Sequence, residues 1–160
     1  MEYLDIVNEK DEVVGKEDRK STDYQKNRHR IVHIFLYNDR GEFALQLRSR
    51  SVGYLPGTWC ATACGHVSAG EDYDTAAHRE MMEELGVDTE IKFIAKDVYD
   101  HGYKAMLVSY KGFWNGDFKP DVSEVDRVEF FSLFKIQEMI DQGIQFHDQS
   151  LFLLEKHFLK

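Results

Sequence analysis

Apolar and polar positions alternate with a period near two over most of this chain and change to a helical period in three places. Residues 3–7 and 12–16 flank the polar Asn8-Glu9-Lys10-Asp11, which predicts a small N-terminal hairpin. A polar segment follows to Arg30. Residues 31–37 and 42–47 are β-rich runs around Asn38-Asp39-Arg40-Gly41, a second hairpin. After a basic, Gly- and Pro-containing loop over 48–57, residues 59–67 read as one extended strand. Further strands are expected at 90–99, 103–114 and 127–131, with a turn-rich stretch over 115–123. Helices are expected over 73–85, stopped by Gly86 at the C′ position, and over 134–142, stopped by Gly143. A last helix over 150–158 carries Leu151, Leu154 and Phe158 at helical spacing, behind Asp148 or Ser150 as its cap. The expected fold class is α/β, a mixed β-sheet with helices packed on it.

Length and composition then bound the architecture. The 160 residues are 42% apolar and 13% aromatic, enough side-chain mass for one core, so a single domain over 1–160 is expected. Within it, residues 1–30 would form the hairpin and polar segment, and residues 31–160 the core. No repeat or low-complexity stretch divides the chain, and its two prolines, Pro56 and Pro120, lie beside loop-like residues. There is no run of eighteen apolar residues, and Met1-Glu2-Tyr3-Leu4-Asp5 is not a basic-then-apolar leader. A cytoplasmic protein with no membrane partner is the expectation. Cys60 and Cys64, four apart in the expected strand, would have α-carbons about 13 Å apart, beyond a disulfide's reach.

The formal charge of −9 argues against duplex nucleic acid, whose phosphates need a basic surface. A polyphosphate can still bind locally, through a few cations and through divalent metals that screen carboxylates from phosphate oxygens. On the helix over 73–85, Glu80, Glu83 and Glu84 fall within roughly 100° of one another, so three carboxylates crowd one edge. Ala77, Met81 and Leu85 form an apolar stripe beside them. Like charges at i, i+4 near a helix C-terminus cost a few tenths of a kcal/mol per pair. Hard divalent cations would compensate that cost.

The whole segment reads Gly65, five residues, Glu71, seven residues, Arg79-Glu80-Met81-Met82-Glu83-Glu84-Leu85-Gly86-Val87. It resembles the Nudix box at every defined position, with Met81 and Val87 in the hydrophobic slots. The resemblance implies the Nudix α/β/α sandwich with a mixed β-sheet, and a metal-dependent hydrolase that cleaves a phosphoanhydride bond in a nucleoside-diphosphate-linked or other diphosphate compound. It implies Mg²⁺ or Mn²⁺ bound by Glu80, Glu83 and Glu84 with the Gly65 carbonyl, and Glu83 orienting or deprotonating the attacking water. Arg79 would pair with Glu71 and orient the carboxylates. Glu129, with Glu124 as its competitor, resembles a later acidic position that some members use as a further ligand or base.

Trp59-Cys60-Ala61-Thr62-Ala63-Cys64-Gly65-His66 also resembles a strand of isopentenyl diphosphate isomerase, a Nudix-fold enzyme in which such a Cys is catalytic and such a His binds metal. His33 could match another of its metal ligands. The strand at 104–108 lacks the Glu-x-Glu of that family, and its Nudix box is degraded where this one is intact. Isomerization and a non-catalytic binding module are therefore the alternatives to hydrolysis. For the substrate, Arg48, Arg50 and Lys26 could meet phosphates, and Tyr54, Trp59 or Phe113 could stack a base. The sequence leaves the diphosphate compound and a homodimer open.

Overall fold

The computed structural model describes residues 2–159. Its elements are β1 (Tyr3–Val7), β2 (Val13–Asp18), a 3₁₀ turn (Arg19–Ser21), β3 (His29–Tyr37), β4 (Phe43–Arg48), β5 (Trp59–Cys60) and β6 (Ala63–His66). Then come α1 (Tyr73–Leu85), β7 (Ile91–Asp100), β8 (Lys104–Phe113), β9 (Val125–Phe131), α2 (Leu133–Asp141) and α3 (Asp148–His157). β1 and β2 form the expected N-terminal hairpin. The remaining strands make one sheet in the order β5-β4-β3-β8-β7, with β6 also on β3 and β9 on β4. The β3–β8 ladder is parallel and the others are antiparallel, so the sheet is mixed.

Side-chain alternation along β3 separates two cores. Val32, Ile34 and Leu36 pack with Ala77, Met81 and Leu85 of α1. Ile31 and Phe35 face the opposite way, onto Ile136 and Met139 of α2 and Leu153 and Leu154 of α3. Helices therefore cover both faces, an α/β/α sandwich.

The second hairpin is a turn without a ladder. β3 and β4 are joined as expected, but they pair only at Tyr37 and Phe43 and then splay. Each has other partners: β6 and β8 flank β3, while β5 and β9 flank β4. The segment after them is correspondingly not one strand. It crosses from β4 to β3 at Ala61-Thr62, where the Thr62 hydroxyl accepts from Leu36 N at 2.9 Å and donates to Ala44 O. The two cysteines therefore lie on different strands, Cys60 on β5 and Cys64 on β6, and both thiols are free and buried.

α1 has the expected limits. Asp72 caps it by accepting from Thr75 N at 2.7 Å, and Gly86 ends it at φ 66°, a conformation that favours glycine. α3 differs. Its cap is His147, whose ring nitrogen accepts from Ser150 N at 3.4 Å, while the Ser150 hydroxyl is taken by Ala61 N at 3.0 Å. The hairpin is tied down at Asp11, which accepts from Arg30 at 2.7 Å, Lys96 at 2.6 Å and Tyr73 at 2.9 Å. No helix among the described residues is long and apolar enough to cross a membrane.

Candidate active site

The end of β6 and the face of α1 meet at Gly65. A Cβ there would lie 2.2 Å from Glu80 Cδ, so only a glycine lets this carboxylate rest against the strand backbone. Glu80 and Glu84, one helical turn apart, are both buried, whereas the Glu83 side chain stays 58% exposed. Burial pushes the Glu80 and Glu84 carboxyls above the usual carboxylate range, Glu84 furthest.

Arg79 organises the cluster. Its Nε and Nη2 form a fork on Glu71 at 2.8 and 2.9 Å, Nη1 reaches Glu80 at 2.9 Å and Glu83 at 3.3 Å, and Nη2 also donates to His66 O at 3.0 Å. The Arg79 fork holds the Glu71 carboxyl below its usual range. From the other side, buried Gln46 of β4 donates through Nε2 to Glu84 Oε1 at 2.8 Å and to Thr62 O at 3.0 Å, and Cys64 N donates to the same Glu84 oxygen at 3.3 Å.

These carboxylates open on a cavity of about 810 Å³ where β3 and β4 splay. Beyond Glu80, Glu83 and Glu84 its walls carry Arg19, Arg48, Tyr24, Tyr54, Tyr103, Cys64, His66 and His147. Tyr24 and Tyr103 stack at 4.7 Å between ring centres, and Tyr103 shares a 3.1 Å hydrogen bond with His66 Nε2. Burial, with Arg19 and His29 nearby, pushes the His66 ring down to about 3, and burial with Arg48 nearby takes His147 to about 4. Both rings are neutral near pH 7. The Cys64 thiol is pushed up, first by its bond with Cys60 and then by burial, so it too is neutral.

Among the described residues no three His, Cys, Asp or Glu side chains already stand as a metal site. The carboxylate oxygens face Arg79 and Gln46 instead. The donor set nevertheless fits a hard divalent cation: all its side-chain donors are oxygens, and Glu80 and Glu84 are buried one helical turn apart, where a cation would offset their charge.

A family model described as NUDIX domain matches residues 27–154. The chain belongs to the Nudix family. The chain is 32% identical over 144 residues to an isopentenyl-diphosphate Delta-isomerase of Streptomyces coelicolor, covering 84% of this chain and 73% of that protein. It is 40% identical over 86 residues to the uncharacterized Nudix hydrolase YfcD of Escherichia coli, 54% of this chain, and so spans about half (48%) of that protein's length. The crystal structure of DR0079 from Deinococcus radiodurans superimposes with a TM-score of 0.86 at 25% identity, covering 98% of this chain and 99% of that one. These relatives place the chain among the Nudix hydrolase enzymes, on a branch that resembles isopentenyl diphosphate isomerase.

Of the residues singled out in the sequence, Glu71, Glu80 and Glu83 meet on the Arg79 guanidinium, Gly65 lies against Glu80, and Glu84 is held beside them by Gln46. Arg48 and Tyr54 line the cavity; Arg50, Lys26, Trp59 and Phe113 do not. Arg50 lies over Gly57, Trp59 packs on Phe131, and Phe113 sits beside Tyr37. Glu129 is also off the cavity, paired with Arg127 at 3.1 Å, while Glu124 is on its lining. Strand alternation explains this: Gln46 faces Glu84 and its cross-strand neighbour is Val128, so Glu129 points to the other side. His33 is fully buried behind the wall, near His147. Glu2, Arg19, Tyr24, Gln46, Tyr103 and His147 went unread. Only Gln46 carried a signal, as a polar residue on the Ala44–Arg48 side of a strand whose other side is Phe43, Leu45 and Leu47.

Proposed function

We propose that this Nudix enzyme hydrolyses a phosphoanhydride bond of a small diphosphate compound, with Mg²⁺ or Mn²⁺ held by Glu80, Glu83 and Glu84 and the Gly65 carbonyl. The observation that carries the proposal is the Arg79-tethered carboxylate cluster opening on a cavity large enough for a nucleotide-sized ligand. When bound, the metal neutralises charge on the bridging oxygens and lowers the pKa of a water molecule. Glu83, the most exposed of the three, orients that water or takes its proton. Glu71 and Arg79 fix the carboxylates, because loose ligands lose metal affinity. Arg48 meets phosphate oxygens from the far wall. Glu124, on the lining, replaces Glu129 as the further acidic group. The whole chain is read as one domain, since residues before the Nudix match reach the same cavity.

A second reading is isomerization, favoured by Cys64 and His66 side by side on the wall and by the isomerase relative. That chemistry needs an acid and a base on opposite sides of the reacting carbons. The carboxyls nearest Cys64 are Glu80 and Glu84, already assigned to the metal. Hydrolysis is the reading we adopt. The test is a panel of diphosphate compounds in ¹⁸O-water with Mg²⁺ or Mn²⁺, products resolved by mass. Cleavage with ¹⁸O in one phosphate product supports hydrolysis. Conversion of isopentenyl to dimethylallyl diphosphate, with no cleavage of any compound, overturns it.

A further inference from the structure

A second concavity, of about 400 Å³, lies at the start of β7 and the end of β8 and shares no lining residue with the first. Its walls carry Tyr37, Thr89, Glu90, Lys92, Lys111 and Phe113. Lys92 and Lys111 are direct cross-strand partners, so both side chains leave the same face of the sheet, and both are exposed. Like charges placed opposite each other destabilise a strand pair. Among the described residues nothing offsets that charge: neither lysine side chain forms an ion pair or a hydrogen bond, in a chain with 29 acidic residues against 20 basic ones. Lys96, further along the same strand, is by contrast bound to Asp11 at 2.6 Å. Lys111 Nζ lies instead 5.1 Å from the ring centre of Tyr37 and 5.8 Å from that of Phe43, which places its head group over aromatic rings.

The rest of the concavity supplies two further kinds of contact. Phe113 meets Tyr37 edge-on at 5.7 Å between ring centres and stays 46% exposed, so ring surface is left uncovered. The Thr89 hydroxyl donates to Phe113 O at 3.0 Å and ties the segment before β7 to the end of β8. A Cβ at Gly112 would lie 2.8 Å from Glu90 O, so the backbone that carries Glu90 rests directly on β8. The Glu90 carboxylate lines the same concavity without pairing with either lysine. Two ammonium groups, a carboxylate and an uncovered ring match the three parts of a nucleotide. A phosphate monoester carries close to two negative charges for the lysines, sugar hydroxyls donate to a carboxylate, and a base packs on the ring. The volume lies within the range of small-molecule sites.

We propose that this concavity is a second ligand site that binds a nucleoside monophosphate, with its phosphate on Lys92 and Lys111 and its base against Phe113. The proposal is independent of the diphosphatase reading. Its test is titration of the full chain with adenosine monophosphate in the presence of EDTA, followed by amide NMR shifts, with inorganic phosphate and adenosine as separate probes. Removing divalent metal leaves the carboxylates of the first cavity to repel a phosphate. Adenosine monophosphate should shift the amides of residues 89–92 and 111–113, and bind more tightly than phosphate or adenosine. Lys92→Gln and Lys111→Gln should each weaken it about tenfold, the size of a lost charged hydrogen bond. Phe113→Ala should weaken the nucleotide and leave phosphate binding unchanged, and added salt should weaken both. Glu83→Gln, in the first cavity, should bind the nucleotide as the parent does. Shifts confined to residues of the first cavity, equal affinity in the lysine variants, or no shift at millimolar nucleotide overturns the proposal. Phosphate bound as tightly as the nucleotide, or nucleotide bound equally by Phe113→Ala, overturns it as well.

Discussion

Gln46 Nε2 lies 2.8 Å from Glu84 Oε1, and its other amide hydrogen is taken by Thr62 O at 3.0 Å, so the amide cannot flip without losing both bonds. This glutamine aims Glu84 at the cavity from the strand side, as Arg79 aims Glu80 from the helix side. Gln46→Leu keeps nearly the same side-chain volume on β4 and should fold, which the thermal transition checks. It should weaken Mn²⁺ binding about tenfold to a hundredfold, the usual cost of losing a partner behind a metal ligand. Titration calorimetry with Mn²⁺ checks this, and parental affinity would show that Glu84 needs no such support.

Gly65 and Glu80 test the same cluster from the backbone. In Gly65→Ala the new methyl would meet the Glu80 carboxyl at 2.2 to 2.5 Å, so either the helix or the carboxylate must move. The expected outcome is a loss of turnover of at least about a hundredfold, since small misplacements at a reacting centre are costly. Far-ultraviolet circular dichroism should stay near the parent's. A fully active Gly65→Ala would mean that Glu80 does not need to lie against the strand.

Asp97 provides a pH dependence remote from the site. Burial alone would raise its carboxyl, but Lys156 at 2.6 Å and His157 at 2.7 Å outweigh this and hold it below the ordinary 3.8. A depressed folded-state value stabilises above the unfolded value and loses that contribution as pH falls through the folded one. Asp97→Asn should therefore lower stability at pH 7 by about 1–2 kcal/mol, partly screened because Lys156 is half exposed. The gap in Tm between parent and variant should shrink as pH drops below 3.8. A constant gap down to pH 2.5 would assign the effect to packing.

The elements were legible where one pattern decided them. α1 has the expected limits because Asp72 and Gly86 punctuate a clear apolar stripe. The β3–β4 ladder and the continuous strand over 59–67 were not, because alternation says which face a residue takes and nothing about which strand lies beside it. The hydroxyl of Thr62, bridging Leu36 and Ala44, is a tertiary contact with no local signature. The site divides the same way. Residues at fixed spacing on one helix and its leading strand were readable, whereas Gln46 comes from β4, Arg19 from the 3₁₀ turn after β2, and Tyr103 from the turn between β7 and β8. Only folding brings them to the cavity.

Glu83 decides the central claim. Its side chain is exposed and bonded only to Arg79 at 3.3 Å among the described residues, so Glu83→Gln leaves the buried packing of α1 in place. The direct measurement is the rate of Mg²⁺-dependent diphosphate cleavage by the parent and by Glu83→Gln, each shown to be folded by its thermal transition. A fall of about a hundredfold to ten-thousandfold, with the transition retained, is the expected result for a residue that orients or deprotonates the attacking water. Equal rates in two folded proteins would contradict it and remove Glu83 from the chemistry.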